Sequence, residues 1–170
     1  MTVVIPAYNE RAHLPNTLTA LLAQTRRPER IILVDDGSTD GTDEVGKLFP
    51  GVEVIRLPTN TGRKAHAFNA VLGQVNTELV VNLDADVMLD PRALEKIEQA
   101  FTKERVAAAT STAIPQEIRA IWQYRRLVEY LVFFKLHRSA QRHWGVMFVA
   151  AGSFTAYRTS VLKAVGGFPV

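Results

Sequence analysis

The sequence predicts an α/β fold with a mostly parallel sheet flanked by helices. Three observations carry that expectation. Short apolar runs recur along the chain, helical periodicity fills the gaps between them, and most of the runs are continuous and not alternating. Continuous β-rich runs suit strands covered by helices on both faces. Regular strand–helix alternation implies right-handed crossovers between parallel neighbours.

The expected strands are Val3–Ile5, Ile31–Val34, Val54–Leu57, Leu79–Leu83, Val106–Thr110 and Val146–Ala150. Leu14, Leu18, Leu21 and Leu22 form an apolar stripe at helical spacing. Phe68, Val71, Leu72 and Val75 form another, and Leu94, Ile97 and Phe101 a third. Asp90 before Pro91 reads as a helix cap followed by proline at the first helical position. Ala150 to Arg158 is a small-residue stretch after a strand, ending in an arginine, and reads as an ordinary hairpin or turn.

With 170 residues the chain suits one domain with a real core. Hydrophobic residues at 47% and charged residues at 22% argue against disorder. A formal charge of +3 makes no case for nucleic acid. With no cysteine in the sequence, disulfides and thiolate metal sites are excluded. No run reaches the ~18 apolar residues of a membrane span, so the chain as given is expected to be soluble or peripheral. It begins just before a strand and stops after Gly166-Gly167-Phe168-Pro169-Val170, which reads as a piece of a longer protein.

In parallel sheets the ligand crevice lies at the carboxyl ends of the strands. The segments to examine are therefore Pro6-Ala7-Tyr8-Asn9-Glu10, Asp35-Asp36-Gly37-Ser38 and Asp84-Ala85-Asp86. A carboxylate after the second strand can accept hydrogen bonds from a nucleobase or ribose. The same stretch also reads as a connector, with Ser38, Thr39 or Asp40 capping the next helix. Asp84 and Asp86, two apart beyond a buried strand, suit a hard divalent cation that bridges a diphosphate. A loop turn with solvated acids is the plain alternative.

Asn60-Thr61-Gly62-Arg63-Lys64-Ala65 puts glycine and two cations at a helix start, where the helix dipole disfavours positive charge. Local conflict of that kind often marks function, and Lys64 with the helix amides can attract phosphate. Gln116–Gln141 interleaves aromatics with Arg and Lys, which suits either a membrane interface or a long helix packed on a larger domain. Gly152 and Ser153 leave room for a ligand to approach the backbone.

Together these segments resemble the family-two glycosyltransferases of GT-A fold, particularly the cellulose, chitin, hyaluronan and poly-N-acetylglucosamine synthase branch. Val3 to Glu10 resembles the opening strand motif, Asp35 to Asp40 the base-contacting acidic turn, and Asp84-Ala85-Asp86 the D-x-D. Asn60 to Ala65 is similar to the N-x-G-K-A element with Arg63 inserted, and Ala151 to Phe154 to the acceptor-side motif. The resemblance runs through nearly the whole chain in order.

What it implies is a UDP-sugar donor, Mg²⁺ or Mn²⁺, inversion at the anomeric carbon, and a glycan or lipid-linked acceptor. Pro6, Ala7, Tyr8, Glu10 and Asp36 would hold the uridine side, with Lys64 and Asp84 near ribose or diphosphate. Asp86 would bind the metal, and Gly152 and Ser153 would face the acceptor. The full-length protein would work at the cytoplasmic face of a membrane, reached through residues 116–141 and flanking segments. The family's general base follows the Gly-Gly-Phe element and so is expected beyond Val170, leaving these 170 residues inactive alone. A non-catalytic nucleotide-sugar-binding module is the alternative.

Overall fold

The computed structural model describes residues 1–111 and 152–170, together with Tyr124, Arg125, Leu127, Val128, Leu131, Val132 and His143. Among the described residues six strands form one sheet: β1 (Thr2–Ala7), β2 (Arg30–Asp35), β3 (Val52–Arg56), β4 (Leu79–Leu83), β5 (Ala108–Thr110) and β6 (Phe154–Arg158). The helices are α1 (Leu14–Leu22), α2 (Thr42–Lys47), α3 (Lys64–Leu72), α4 (Ala93–Gln99) and α5 (Thr159–Ala164). Strand order across the sheet is β3-β2-β1-β4-β6-β5.

The first four strands run parallel, as the continuous apolar runs of β1, β2 and β4 predict. β6 runs the other way and pairs antiparallel with both β4 and β5. Within the stretch Ala150–Arg158, expected as a hairpin or turn, Phe154–Arg158 is therefore a strand. Its residues show no long apolar run, and pairing on both sides holds it in the sheet. The strand expected at Val146–Ala150 lies outside the described residues, as does most of the amphipathic stretch Gln116–Gln141.

Alternation along β1 divides the core. Val3 and Ile5 join Leu14, Leu18 and Leu21 of α1 and Leu94 and Ile97 of α4 on one face. Val4 joins Phe68 and Val71 of α3 and Leu162 of α5 on the other. Leu14, Leu18 and Leu21 are fully buried, each stabilising by roughly 1.5–3 kcal/mol relative to exposure. Both faces of the sheet are thus covered, and polar side chains with ligand chemistry are left to the strand ends.

Two terminations differ from expectation or add to it. Asp90 accepts from the Arg92 amide at 3.0 Å, but α4 proper starts at Ala93, so the cap closes a turn just ahead of the helix. After α5, Gly167 has φ +87°, and a Cβ there would lie 2.4 Å from Asn69 Oδ1. Asn69 Nδ2 donates to the Phe168 carbonyl and its Oδ1 accepts from the Phe168 amide, both at 2.9 Å. The Phe168 ring then packs edge-on to Phe68, with centroids 4.7 Å apart. Glycine is what lets the chain come close enough to α3 for this clamp.

Candidate functional site

The loops after β1, β2 and β4 leave from one edge of the sheet, and the antiparallel β6 begins at that same edge. A cleft of about 290 Å³ opens there, lined by Pro6, Ala7, Tyr8, Glu10, Lys64, Asp84, Ala85 and Asp86. Six of the residues singled out from sequence for the donor, and Asp86 for the metal, thus share one wall.

The first two loops are latched together. The Asn9 amide donates to Ser38 Oγ at 2.9 Å, and Asn9 Oδ1 accepts from the Thr39 amide at 2.9 Å. Asn9 takes φ +56°, a left-handed conformation that asparagine tolerates. The Glu10 amide donates to Thr42 Oγ1, and the Arg11 amide to Asp40 Oδ2. Asp40 Oδ1 in turn accepts from the Thr42 amide and closes a turn just ahead of α2, whose N-cap is Gly41 with no side-chain cap bond. Polar residues after β2 therefore serve mainly to set the shape of the cleft rim.

The two acids of that turn have separate duties. Asp35 is fully buried; its Oδ1 accepts from the Ser38 amide, and Oδ2 lies 3.1 Å from the Arg56 guanidinium. Arg56 also reaches Asp43 at 2.7 Å and the Ser38 carbonyl at 2.7 Å, nailing the turn to the end of β3. Asp36 sits on the expected edge, yet its oxygens accept from the Thr61 amide and the Thr61 hydroxyl, each at 2.9 Å. It lies beside the cleft, not among the residues lining it. Gly37, at φ +72°, lets this turn press against the 59–60 backbone, since a Cβ would stand 2.6 Å from the Asn60 nitrogen.

Lys64 is the centre of charge. Its ammonium forms an ion pair with Asp84 and donates to the Gly152 carbonyl at 2.9 Å. Burial pushes its pKa down to about 8, opposed by the charge of Asp86; the adjoining Asp84 carboxylate favours the charged form in the same sense. Lys64 is therefore a cation at neutral pH. Asp86 is exposed and accepts no hydrogen bond among the described residues, which leaves its oxygens available to a hard cation. No group of three or more His, Asp or Glu side chains able to hold a metal occurs among the described residues.

Gly152 and Ser153 come to the same place. The Asp84 amide donates to the Ser153 carbonyl at 2.9 Å, and Asn82 Nδ2 donates to the Gly152 carbonyl at 2.7 Å. Arg158, at the far end of β6, is spent on structure. It donates to the carbonyls of Val106 and Phe101, each at 3.0 Å, and pairs with Glu78. Sequence reasoning missed Thr61, Arg56 and Asn82. Of these Asn82 left a visible signal, an amide inside the apolar run Leu79-Val80-Val81-Asn82-Leu83.

The profile of glycosyl transferase family 2 matches residues 2–166. Among curated relatives, the poly-beta-1,6-N-acetyl-D-glucosamine synthase of Staphylococcus epidermidis is 28% identical over 98% of the chain and 41% of its own length. The hyaluronan synthase of Streptococcus pyogenes is 30% identical over 95% of the chain and 41% of its own length. The chain spans about half or less of the relatives it matches. Among solved structures, the Pyrobaculum calidifontis mannosyltransferase in complex with GDP-Man and Mn²⁺ superposes with a TM-score of 0.76, at 24% identity, over 99% of this chain and 47% of that one. S. aureus TarS 1-349 in complex with UDP-GlcNAc gives 0.71 at 22% identity, over 99% and 48%. The sheet order, the helices on both faces and the match over residues 2–166 agree: this chain belongs to glycosyl transferase family 2 and has the GT-A fold.

Proposed function

We propose that the chain is the donor-binding domain of an inverting, metal-dependent glycosyltransferase that moves a sugar from a UDP-sugar to a glycan or lipid-linked acceptor. The observation that carries this is the meeting of Lys64, Asp84 and Asp86 with the Pro6–Glu10 loop in one cleft. A nucleoside diphosphate needs a flat polar site at one end and positive charge at the other. Tyr8, 46% exposed on the cleft, offers a ring and a hydroxyl. Lys64 offers an ammonium that joins α3 to the ends of β4 and β6 at the cleft.

Asp86 would hold Mg²⁺ or Mn²⁺, hard cations that prefer oxygen ligands such as a carboxylate and the oxygens of a diphosphate. When bound, the cation neutralises charge on the departing diphosphate. Lys64 supplies further positive charge to the diphosphate as it gives up Asp84. Gly152 and Ser153 border the acceptor side. The donors named for the solved relatives, UDP-GlcNAc for TarS and GDP-Man for the Pyrobaculum enzyme, support a nucleotide-sugar ligand of this type.

Calorimetry with UDP, UDP-glucose, UDP-N-acetylglucosamine and GDP-mannose, each with and without Mn²⁺, tests the assignment. Metal-dependent binding of a UDP-sugar by the wild type is expected, with the metal dependence lost in a folded Asp86→Asn variant. Metal-independent binding, or none, would reject it. Metal-dependent donor binding without transfer in the full-length protein would instead indicate a binding module.

A further inference from the structure

Asn82 lies one residue from the carboxyl end of β4, 5% exposed, on the α3 side of the sheet with Val80. Its amide orientation is fixed by chemistry. The Gly152 carbonyl can only accept, so the NH₂ group must face it, at 2.7 Å. The other half of the amide, Oδ1, is buried with no hydrogen-bond partner among the described residues. A leucine would fill this position without leaving such an orphan, and half-satisfied buried amides are costly. Stability alone therefore does not account for asparagine here.

The same Gly152 carbonyl receives the Lys64 ammonium at 2.9 Å. Two donors from different elements, β4 and α3, thus converge on one oxygen of the segment that leads into β6. Lys64 has a long, flexible stem with four rotatable bonds, so its ammonium needs a fixed acceptor to be held in the cleft. Asn82 holds that acceptor still. The Asp84 amide on the Ser153 carbonyl, at 2.9 Å, fixes the next peptide of the same segment.

We propose that Asn82 is a positioning residue for the diphosphate end of the donor: it aims the Gly152 carbonyl, and through it the Lys64 ammonium. This rests on the donor assignment above and adds a residue that touches neither donor nor metal. Because the effect passes through Lys64, it falls on the phosphates of the ligand and spares its nucleoside. It should also vanish once Lys64 has gone.

The test compares UDP with uridine by calorimetry, at one pH and one Mn²⁺ concentration, for wild type, Asn82→Leu, Lys64→Met and the double variant. Thermal unfolding is followed in parallel. Asn82→Leu is expected to keep or raise the melting temperature while weakening UDP binding about tenfold and leaving uridine affinity within about twofold. Lys64→Met is expected to weaken UDP by a similar factor, and the double variant by no more than about the larger single loss. Equal weakening of UDP and uridine overturns the proposal, as does a double-variant loss equal to the product of the two. Unchanged UDP affinity in Asn82→Leu, with wild-type binding intact, overturns it while the donor assignment stands. If the wild type does not bind UDP, both fall. Asn82→Ser supplies a second variant, since a hydroxyl too short to reach Gly152 should reproduce the leucine result if the leucine variant misfolds.

Discussion

Asp36 grips Thr61 twice, taking the backbone amide on one oxygen and the side-chain hydroxyl on the other, both at 2.9 Å. Three residues further on, Lys64 sits on Asp84. The short stretch from Thr61 to Lys64 is thus pinned at each end to an acid at a strand terminus, so the lysine is delivered by Asp36 as much as by its helix. Asp36→Ala should detach this stretch. UDP affinity is expected to fall about tenfold or more, as charged hydrogen bonds of this sort are worth ~1.5–3 kcal/mol. Calorimetry reads it, and unchanged affinity would show that Asp36 matters neither to base nor to lysine.

Gly37 occupies a left-handed conformation and touches the backbone of residues 59 and 60, where no flexible atom can yield. Gly37→Ala should cost about 1–3 kcal/mol from strain together with steric displacement. Urea unfolding gives the number. A loss below ~0.5 kcal/mol, the scale of a neutral surface change, would contradict the packing described.

Asp43 is held below the usual carboxylate range, first by the Lys47 ammonium at 2.7 Å and then by the charge of Arg56. Desolvation works against this and is outweighed. A depressed folded-state value means the stabilisation is complete above the unfolded pKa, ~3.9, and is lost as pH falls through the folded one. The gap in urea midpoint between wild type and Asp43→Asn should therefore be present at pH 7 and shrink below about pH 4. A gap that stays constant down to pH 3 would show that the ion pairs contribute nothing.

Arg158 is mostly buried and spans from β6 to carbonyls in the turn after α4. Arg158→Met removes several hydrogen bonds to acceptors that stay behind, a loss of about 2–4 kcal/mol in unfolding free energy. Donor affinity measured on the folded variant should match wild type, because no contact of Arg158 reaches the cleft. Selective loss of binding without loss of stability would reverse this division.

The parallel half of the fold was legible because β1, β2 and β4 are buried on both faces, which leaves uninterrupted runs such as Ile31-Ile32-Leu33-Val34. Lys64 was legible through its conflict with the helix dipole. β6 was not, because Phe-Thr-Ala-Tyr-Arg has no run to notice and owes its state to β4 and β5 on either side. The duties of Asp35, Asp36 and Thr61 were hidden for a related reason. Each depends on a partner about 20 to 25 positions away, and a sequence names the acid without naming what it holds. Asp36 lies at the strand end that its place after β2 predicts, and the amide and hydroxyl of Thr61 each donate to one of its oxygens.

Thr110 and Thr155 stand opposite each other in the β5–β6 ladder, so whatever chain joins these strands departs and returns through neighbouring posts on the ligand side. Closing a loop between fixed posts becomes only slowly more costly with length. The length of the joining segment therefore weighs little on the sheet, whereas its last stretch, at Gly152, still has to present a carbonyl to Lys64 and Asn82.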